Sequence, residues 1–383
     1  MHIVISMGFF LPVPALRGGA TEKIWHRFAQ EFARAGHQVT LISRRWPGLP
    51  DRETRDGITH LRLRGCDHTR RLPVNLVLDL WWSLRVLRAT PQADVLVSNN
   101  VSLPIFARRL RPRAGRVAVV LGRMPKGQTR WYGAVDRVLA TSNAVKDKAL
   151  AENPTLASRC LVMLNPVDCE LHGRMNVKPR TGEPLTIGYV GRINPEKNLE
   201  ALIDAAALLA AIPGLPAWRL VFIGPYDVAA GGGGASYRDA LIQRAARSLG
   251  PSRLEFAGPV FDAVALAGRY GEIDLFCYPS RAEQGEGLSV APIEAMAAGA
   301  VPIVSSLPCY ADLVRHGENG CTFDHRSATP AAALAAQLEP LLRDAALRSR
   351  LAARAQADAR RFDYATIAAR LLNDFQGLVA TSR

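Results

Sequence analysis

Short apolar runs alternate with amphipathic stretches from the first residues of the chain. The apolar run His2–Met7 leads into a glycine pair, Gly18-Gly19, and then into an amphipathic segment, Thr21–Ala35. A glycine stop and a second apolar run, Gln38–Ser43, come next. This pattern predicts a βαβ unit, in which a strand is followed by a glycine turn, a helix that ends at glycine, and a second strand.

The same alternation continues in two series along the chain. In the first series the further predicted strands are Thr59–Leu63, Asp94–Ser98, Arg116–Leu121, Arg137–Ala140 and Cys160–Leu164. In the second series they are Thr186–Val190, Arg219–Ile223, Leu254–Phe256, Leu275–Tyr278, Pro302–Ser305 and Cys321–Phe323. Helical stretches lie between many of these strands, so each series predicts a parallel sheet covered on both faces.

A polar stretch with proline and glycine, Asn176–Pro184, separates the two series. We therefore predict an α/β protein of two Rossmann-like, doubly wound domains, over residues 1–175 and 176–362. A C-terminal helix over residues 363–383 is predicted to pack back on the first domain. Ligands of such sheets bind beyond the carboxyl ends of the strands, so the sequence predicts a ligand in a cleft between two facing domains.

Length and cysteine content agree with this organisation. The 383 residues suit two domains. No apolar segment approaches the roughly 18 to 20 residues of a membrane-spanning helix, and the opening residues lack a basic leader, which together predict a cytoplasmic protein. The six cysteines form no CxxC pair, so buried thiols are predicted rather than zinc ligands or disulfides.

The formal net charge of +14 comes almost entirely from about the first 170 residues. An anionic partner of the first domain, such as a membrane surface, a lipid diphosphate or a charged glycan, would explain this asymmetry. A general enrichment in arginine explains it equally well. Because the arginines are scattered among apolar runs and no nucleic-acid-binding module is recognisable, we predict no nucleic-acid partner.

Two glutamates eight positions apart, Glu286 and Glu294, are followed by the sequence Ala-Met-Ala-Ala-Gly. One carboxylate ahead of a helix start and one in its early turns can both face a ligand at the helix N-terminus. Free N–H groups and the helix dipole favour anions there. The pattern indicates a polyhydroxylated, phosphate-bearing ligand.

A second motif follows the first strand of the second series. Gly191 and Arg192 come directly after that strand, and Lys197 lies five residues beyond Arg192. An arginine fork and a lysine point charge beside a glycine suit a diphosphate. In the first series, the turn at Gly18-Gly19 would let the backbone approach a phosphate.

With Asn165–Asp168 and Thr141–Ala144, these motifs resemble the family 4 retaining glycosyltransferases of the GT-B fold. The resemblance covers nearly the whole chain in the right order. It implies an acceptor-binding N-terminal domain and a C-terminal domain that binds a nucleotide sugar. It also implies a role in building glycans or polysaccharides.

The resemblance assigns roles to individual residues. Glu286 would contact the donor sugar, Glu294 the ribose, and Arg192 and Lys197 the diphosphate, with Glu286, Arg192 and Lys197 as the catalytic set. The other implied donor-binding positions are the main chain at Leu288, Ser289 and Val290, the glycines Gly18, Gly19 and Gly191, and Val260 in a turn that resembles the family's base-binding turn.

The resemblance implies no cofactor, and a UDP- or GDP-linked sugar as donor. It also implies a metal-independent reaction, and no Asp-x-Asp is placed to hold a divalent ion. Family members often carry a histidine at the end of an N-terminal strand, whereas residues 121–128 contain none. Arg123 and Lys126 of this loop are predicted to contact donor or acceptor; the alternative is that they extend the basic surface.

The segment Leu76–Arg88 combines two tryptophans with basic residues at helical spacing. Such a helix is typical of a membrane surface and also of burial on a sheet, and the pattern favours burial. Exposure of the helix would indicate a lipid-linked acceptor.

These observations predict a retaining glycosyltransferase that moves a sugar to a glycan, a lipid-linked or a small-molecule acceptor. Contact of the basic domain with the inner, anionic face of the membrane is part of this hypothesis. The alternatives are a GT-B-type sugar-nucleotide epimerase and a non-catalytic glycan-binding protein of the same fold.

Overall fold

The computed structural model describes residues 1–69, 71–175, 184–250 and 253–381, and the chain divides into two compact units. The first unit comprises Met1–Pro166, Gln284–Leu288 and Tyr364–Arg383, and the second comprises Val167–Glu283 and Ser289–Asp363. Residues 176–183 of the predicted boundary lie outside the described residues.

Strands and helices alternate along both units. The strands are β1 His2–Ser6, β2 Gln38–Arg44, β3 Arg52–Arg55, β4 Ile58–Leu63, β5 Val95–Ser98, β6 Arg116–Leu121, β7 Arg137–Ala140, β8 Cys160–Val162, β9 Leu185–Val190, β10 Trp218–Ile223, β11 Leu254–Gly258, β12 Leu275–Tyr278, β13 Val301–Ser305 and β14 Cys321–Phe323. The α-helices are α1 Ala20–Arg34, α2 Leu72–Ala89, α3 Leu103–Leu110, α4 Asn143–Glu152, α5 Cys169–Arg174, α6 Leu199–Ala210, α7 Ala235–Leu249, α8 Ala263–Gly271, α9 Val290–Ala297, α10 Pro330–Arg343, α11 Ala345–Ala359 and α12 Tyr364–Ala380.

The sheet of the first unit has the order β3-β4-β2-β1-β5-β6-β7-β8. Its neighbours pair in parallel except for β3, which is antiparallel to β4. Strand β3 was not predicted, because its residues Arg-Glu-Thr-Arg offer no apolar alternation. The signal lay in the turn, where Asp56 and Gly57 adopt the positive φ angles that an Asp-Gly hairpin turn requires.

Helix α2 lies against this sheet with one face only. Trp82 is fully buried, and its Nε1 donates a hydrogen bond of 2.9 Å to the carbonyl oxygen of Met7, just beyond β1. The carboxylate of Asp79 accepts from the backbone N–H of Ser102 at 2.7 Å. The prediction of a helix buried on a sheet is therefore correct for this face, whereas the opposite face is exposed.

The last helix, α12, belongs to the first unit. Its Phe375 meets Phe32 of α1 edge to face, with ring centroids 6.3 Å apart. Arg137 of β7 donates to both carboxylate oxygens of Asp374, at 2.9 and 2.7 Å. This paired geometry is the strong form of an ion pair, so α12 is held by charge as well as by apolar packing.

The sheet of the second unit is parallel throughout the described residues, in the order β11-β10-β9-β12-β13-β14. The chain runs outward from β9 through β10 to β11 and then returns to the other side of β9 at β12. Ligands of open α/β sheets bind at such a switch point, outside the carboxyl ends of the strands. In the first unit the corresponding point lies between β1 and β5.

Among the described residues, no helix has both the length and the apolar content needed to cross a membrane.

Candidate functional site

The loop after β9 begins at the switch point of the second unit. The backbone N–H of Gly191 donates to the carbonyl of Ile223 at 2.9 Å, which joins the end of β9 to the end of β10. Gly224 passes so close that a Cβ atom there would lie 1.9 Å from the carbonyl oxygen of Gly191, and its φ of +147° also favours glycine. Two glycines therefore allow the two strand ends to approach each other.

The structure brings Arg192 and Lys197 together on one carboxylate. The Nη2 atom of Arg192 lies 2.8 Å from Oε1 of Glu196, and Nζ of Lys197 lies 3.4 Å from the same oxygen. Arg192 is partly exposed, whereas Lys197 is almost completely buried. Glu196 thus fixes both predicted phosphate-binding cations in one place.

The glycine-rich stretch 231–234 supports this cation loop. The carbonyl oxygen of Gly231 accepts from Nη1 of Arg192 and from Nδ2 of Asn194, both at 3.0 Å. The N–H of Gly233 donates to the carbonyl of Ile193 at 2.8 Å. These glycines are therefore packed against the cation loop, and Gly231 orients Arg192.

Aromatic rings connect the cation loop to the start of α9. The Nζ atom of Lys197 lies 5.3 Å from the ring centroid of Tyr278, at the end of β12. Tyr278 meets Tyr310 edge to face at 6.1 Å, and the Tyr310 hydroxyl lies 3.2 Å from Oγ of Ser289. Ser289 directly precedes Val290, the first residue of α9. The predicted diphosphate residues and the predicted helix N-terminus are therefore joined by one set of side chains.

Glu294 is buried in α9 and has a partner that the sequence did not indicate. The hydroxyl of Tyr270, on α8, donates to Oε2 of Glu294 at 2.9 Å. Burial, together with the nearby Glu294 carboxylate, raises the pKa of Tyr270, so its proton stays in this hydrogen bond. Tyr270 fixes the orientation of the carboxylate that is predicted to bind a ribose.

A cavity of about 270 Å³ opens at the ends of β10 and β11. Its lining residues are Gly224, Tyr226, Arg238, Ile242, Phe256 and Gly258. The guanidinium of Arg238 lies 4.2 Å from the ring centroid of Tyr226, so the wall of the cavity contains a cation–π pair. Val260, the predicted base-binding residue, is half-buried two residues beyond Gly258. A mainly apolar cavity with aromatic side chains in its wall suits a planar ring.

In the first unit, Gly18 and Gly19 form the turn between β1 and α1, both with positive φ. Glu22 of the first helical turn is buried beneath them, and a Cβ at Gly19 would lie 2.3 Å from its Oε2. Burial raises the pKa of Glu22 to about 7, with a backbone hydrogen bond acting in the opposite direction. Glu22 has no role predicted from the sequence.

The segment 284–288, which carries Glu286, belongs to the first unit. Glu286 is buried, and a Cβ at Gly287 would lie 2.6 Å from the carbonyl of Gly122. The Ser142 hydroxyl donates to the carbonyl of Gly287 at 2.7 Å, and Nδ2 of Asn165 donates to that of Leu288 at 2.6 Å. These contacts join the motifs around Ser142 and Asn165 to the segment that carries Glu286.

Arg123 and Lys126 lie in the loop after β6, and both are exposed. Arg123 follows Gly122, the residue in contact with Gly287, so this loop adjoins the segment that carries Glu286. The loop is closed by Gln128, whose side-chain oxygen accepts from the backbone N–H of Lys126 at 2.7 Å. Their predicted contact with donor or acceptor stays a prediction.

Within the described residues, no cluster of three or more His, Cys, Asp or Glu side chains is arranged to hold a metal ion. The predicted site residues divide between the units. Those of the first unit are Gly18, Gly19, Arg123, Lys126, Glu286 and Leu288, and those of the second are Gly191, Arg192, Lys197, Val260, Ser289, Val290 and Glu294.

Comparison with known proteins gives two family matches. The model described as "Glycosyltransferase Family 4" matches residues 18–171, and the model described as "Glycosyl transferases group 1" matches residues 174–358. Among curated relatives, the phosphatidyl-myo-inositol mannosyltransferase of Mycobacterium tuberculosis is 29% identical over 58% of this chain and 55% of that protein. The GDP-mannose:cellobiosyl-diphosphopolyprenol alpha-mannosyltransferase of Xanthomonas campestris is 28% identical over 65% of this chain and 60% of that protein.

These alignments span little more than half the length of both relatives. Solved structures match over nearly the whole chain. Sucrose-phosphate synthase from Thermosynechococcus elongatus has a TM-score of 0.80 at 20% identity, covering 99% of both chains. Anabaena HepE in complex with UDP-glucose has a TM-score of 0.73 at 19% identity, covering 98% of this chain and 100% of that one. The two family matches, the order of the motifs and the two Rossmann-like units together show that this chain belongs to the family 4 glycosyltransferases and has the GT-B fold.

Proposed function

We propose that this protein is a retaining, metal-independent glycosyltransferase that uses a nucleotide diphosphate sugar as donor. The proposal depends most on the convergence of Arg192 and Lys197 on Oε1 of Glu196, at the switch point of a Rossmann-like sheet. These three side chains carry a net charge of +1, and a buried lysine beside an arginine fork suits a diphosphate.

In the proposed reaction the bond between the sugar C1 and the diphosphate oxygen breaks, and the acceptor oxygen bonds to C1 on the same face. The acceptor's proton passes to a phosphate oxygen of the leaving group. Negative charge develops on the diphosphate in the transition state, where Arg192 and Lys197 stabilise it. No further base is required in this scheme.

The remaining residues bind the donor in this proposal. Glu294, oriented by Tyr270, accepts hydrogen bonds from the ribose hydroxyls, and the cavity lined by Phe256 and Tyr226 receives the base. Glu286 binds hydroxyls of the donor sugar. The backbone at Gly18 and Gly19, at Leu288, Ser289 and Val290, and at Gly191 and Val260 completes the donor contacts.

The names of the relatives support a mannosyl donor and a lipid-linked acceptor. Both relatives are mannosyltransferases, one named for phosphatidyl-inositol and the other for a polyprenol diphosphate acceptor. We therefore rank GDP-mannose first among donors, followed by UDP-linked sugars. The acceptor class fits the basic first unit, since an anionic lipid headgroup or diphosphate would be attracted to it.

The first experiment is a thermal-shift screen with GDP-, UDP-, ADP- and dTDP-sugars, because a true donor stabilises the folded protein by mass action. We expect Glu294→Ala to weaken this stabilisation, and Arg192→Ala or Lys197→Ala to lower turnover about 100-fold. The matched control is Arg244→Ala, which removes one positive charge from a surface pair with Asp204 in the same unit. Wild-type kinetics in the Arg192, Lys197 and Glu294 variants would refute the site assignment.

Product analysis separates the alternative functions. An epimerase would convert the nucleotide sugar without any acceptor, and a glycan-binding protein would leave it unchanged with every acceptor. Retention is checked by the anomeric configuration of the product, and metal independence by activity in the presence of a chelator. Inversion, or loss of activity that a divalent ion restores, would contradict that part of the proposal.

A further inference from the structure

Helix α2 presents an apolar face to solvent. Of the 15 exposed large apolar side chains in the described part of the chain, six lie on this one helix. They are Leu72, Val74, Leu76, Val77, Leu80 and Leu84. Leu72 and Val77 are 66% and 67% exposed. Contiguous apolar surface of this kind is uncommon on soluble monomers and marks a surface that binds a partner or a membrane.

The opposite face of α2 is anchored firmly, so the exposed face is presented by a fixed element. Trp82 is buried and donates its hydrogen bond to Met7, and Asp79 caps the start of α3 through Ser102. The exposed apolar side chains therefore belong to a helix that is packed on its sheet.

Basic residues surround the C-terminal end of this apolar face. Arg85 lies with its guanidinium 4.8 Å from the ring centroid of Trp81, and Arg88 is exposed one turn further along. Arg111, just after α3, donates to the carbonyl of Thr90 at the end of α2 at 2.7 Å. An apolar face beside tryptophan and arginine is the composition of an interfacial helix.

The partner of the exposed face of α2 is either a lipid surface or a second copy of the chain, and the charge of the first unit favours the lipid surface. The first unit contains 28 Lys and Arg against 13 Asp and Glu, a net charge of +15, whereas the second contains 20 against 21, a net charge of −1. Two copies joined through α2 would bring like charges together, whereas an anionic lipid surface complements them.

We infer that the exposed face of α2 is the surface by which this protein docks on an anionic membrane, with Leu72, Leu76, Val77, Leu80 and Leu84 in the headgroup region. The inference rests on the proposed function, because membrane docking serves a transferase whose acceptor is lipid-linked. Docking on this face would bring the first unit to the surface in which such an acceptor lies.

The test is sedimentation of the full chain with vesicles of phosphatidylglycerol and phosphatidylcholine, and with vesicles of phosphatidylcholine alone. We expect binding to the anionic vesicles, weakened but not abolished by salt, because apolar contacts persist when charges are screened. The double variant Leu76→Gln/Val77→Gln should lower the partition coefficient by about tenfold or more. The matched control is Leu208→Gln/Val264→Gln, two exposed apolar helical positions of the second unit, which should bind like the wild type.

Equal binding of the α2 variant and the wild type, or no binding of the wild type at low salt, would overturn the inference. So would a wild-type dimer in sedimentation velocity that the α2 variant abolishes without any vesicle binding. Stabilisation by a nucleotide sugar, measured on the same proteins, keeps the two proposals apart. It should be unchanged in the α2 variant, and its absence from the wild type would count against the proposed function alone.

Discussion

The buried carboxyl of Glu22 gives a pH dependence of stability that can be calculated from the structure. Its pKa is raised by burial from 4.5 to about 7. This difference, at about 1.36 kcal/mol for each tenfold change in proton affinity, corresponds to about 3 kcal/mol. Because the folded state holds the proton more tightly than the unfolded state, the free energy of unfolding falls as pH rises from 4.5 to 7 and levels off above 7.

Replacing Glu22 by glutamine removes this charge and keeps the shape of the side chain. The free energy of unfolding of Glu22→Gln minus that of the wild type should therefore increase by about 3 kcal/mol between pH 4.5 and pH 8. The comparison across pH cancels any constant effect of the amide. The helix N-terminus favours the charged carboxylate of Glu22. This interaction reduces the rise in the pKa of Glu22 without reversing it.

Urea unfolding followed by tryptophan fluorescence is a suitable assay. Five of the six tryptophans lie in the first unit, so the signal reports mainly on the unit that contains Glu22. The control is Glu31→Gln on the same helix, whose carboxylate pairs with Arg27 and Arg34. The control should change the free energy of unfolding by less than about 1 kcal/mol. A difference between Glu22→Gln and the wild type that stays constant from pH 4.5 to pH 8 would refute the reasoning.

Three further substitutions test other contacts. Tyr270→Phe removes the hydrogen-bond donor to buried Glu294 and should destabilise the protein by about 1–3 kcal/mol. It should also weaken nucleotide binding, measured by calorimetry. Unchanged nucleotide affinity would argue against Glu294 as a ribose ligand. Gly224→Ala forces a Cβ against the backbone of Gly191 and should abolish cooperative unfolding of the second unit, measured by circular dichroism. Gly268→Ala, in helix α8 with open space around it, should instead stabilise the protein by about 1 kcal/mol in the same measurement, and a loss of stability would contradict this.

The sequence alone was sufficient to predict two Rossmann-like units and nearly all of their strands. Buried parallel strands produce short apolar runs, and the helices between them keep their own period, so both leave a local signal. The place of Arg192 and Lys197 was predictable for the same reason, because a loop that follows a strand must lie at its carboxyl end. The hairpin strand Arg52–Arg55 was missed because an exposed edge strand need not alternate.

The supporting contacts of the candidate site could not be predicted. Tyr270 and Glu294 are 24 residues apart, and Arg192 and Gly231 are 39 apart. Contacts at such separations leave no periodic trace in the sequence, since each depends on how the intervening strands and helices are arranged. Glu196 was visible in the motif, but only the structure showed that its carboxylate holds both cations.

The sequence by itself determined the order of strands and helices, the excess of positive charge in the first half and the motifs that show the family. The tertiary structure decided that Gln284–Leu288 groups with the first unit and Ser289–Asp363 with the second, and that α2 buries Trp82 while exposing Val77. The physical reason is that local pattern reflects which residues avoid water within one element. The packing of the whole chain determines which face of a helix or strand is covered by another part of the chain.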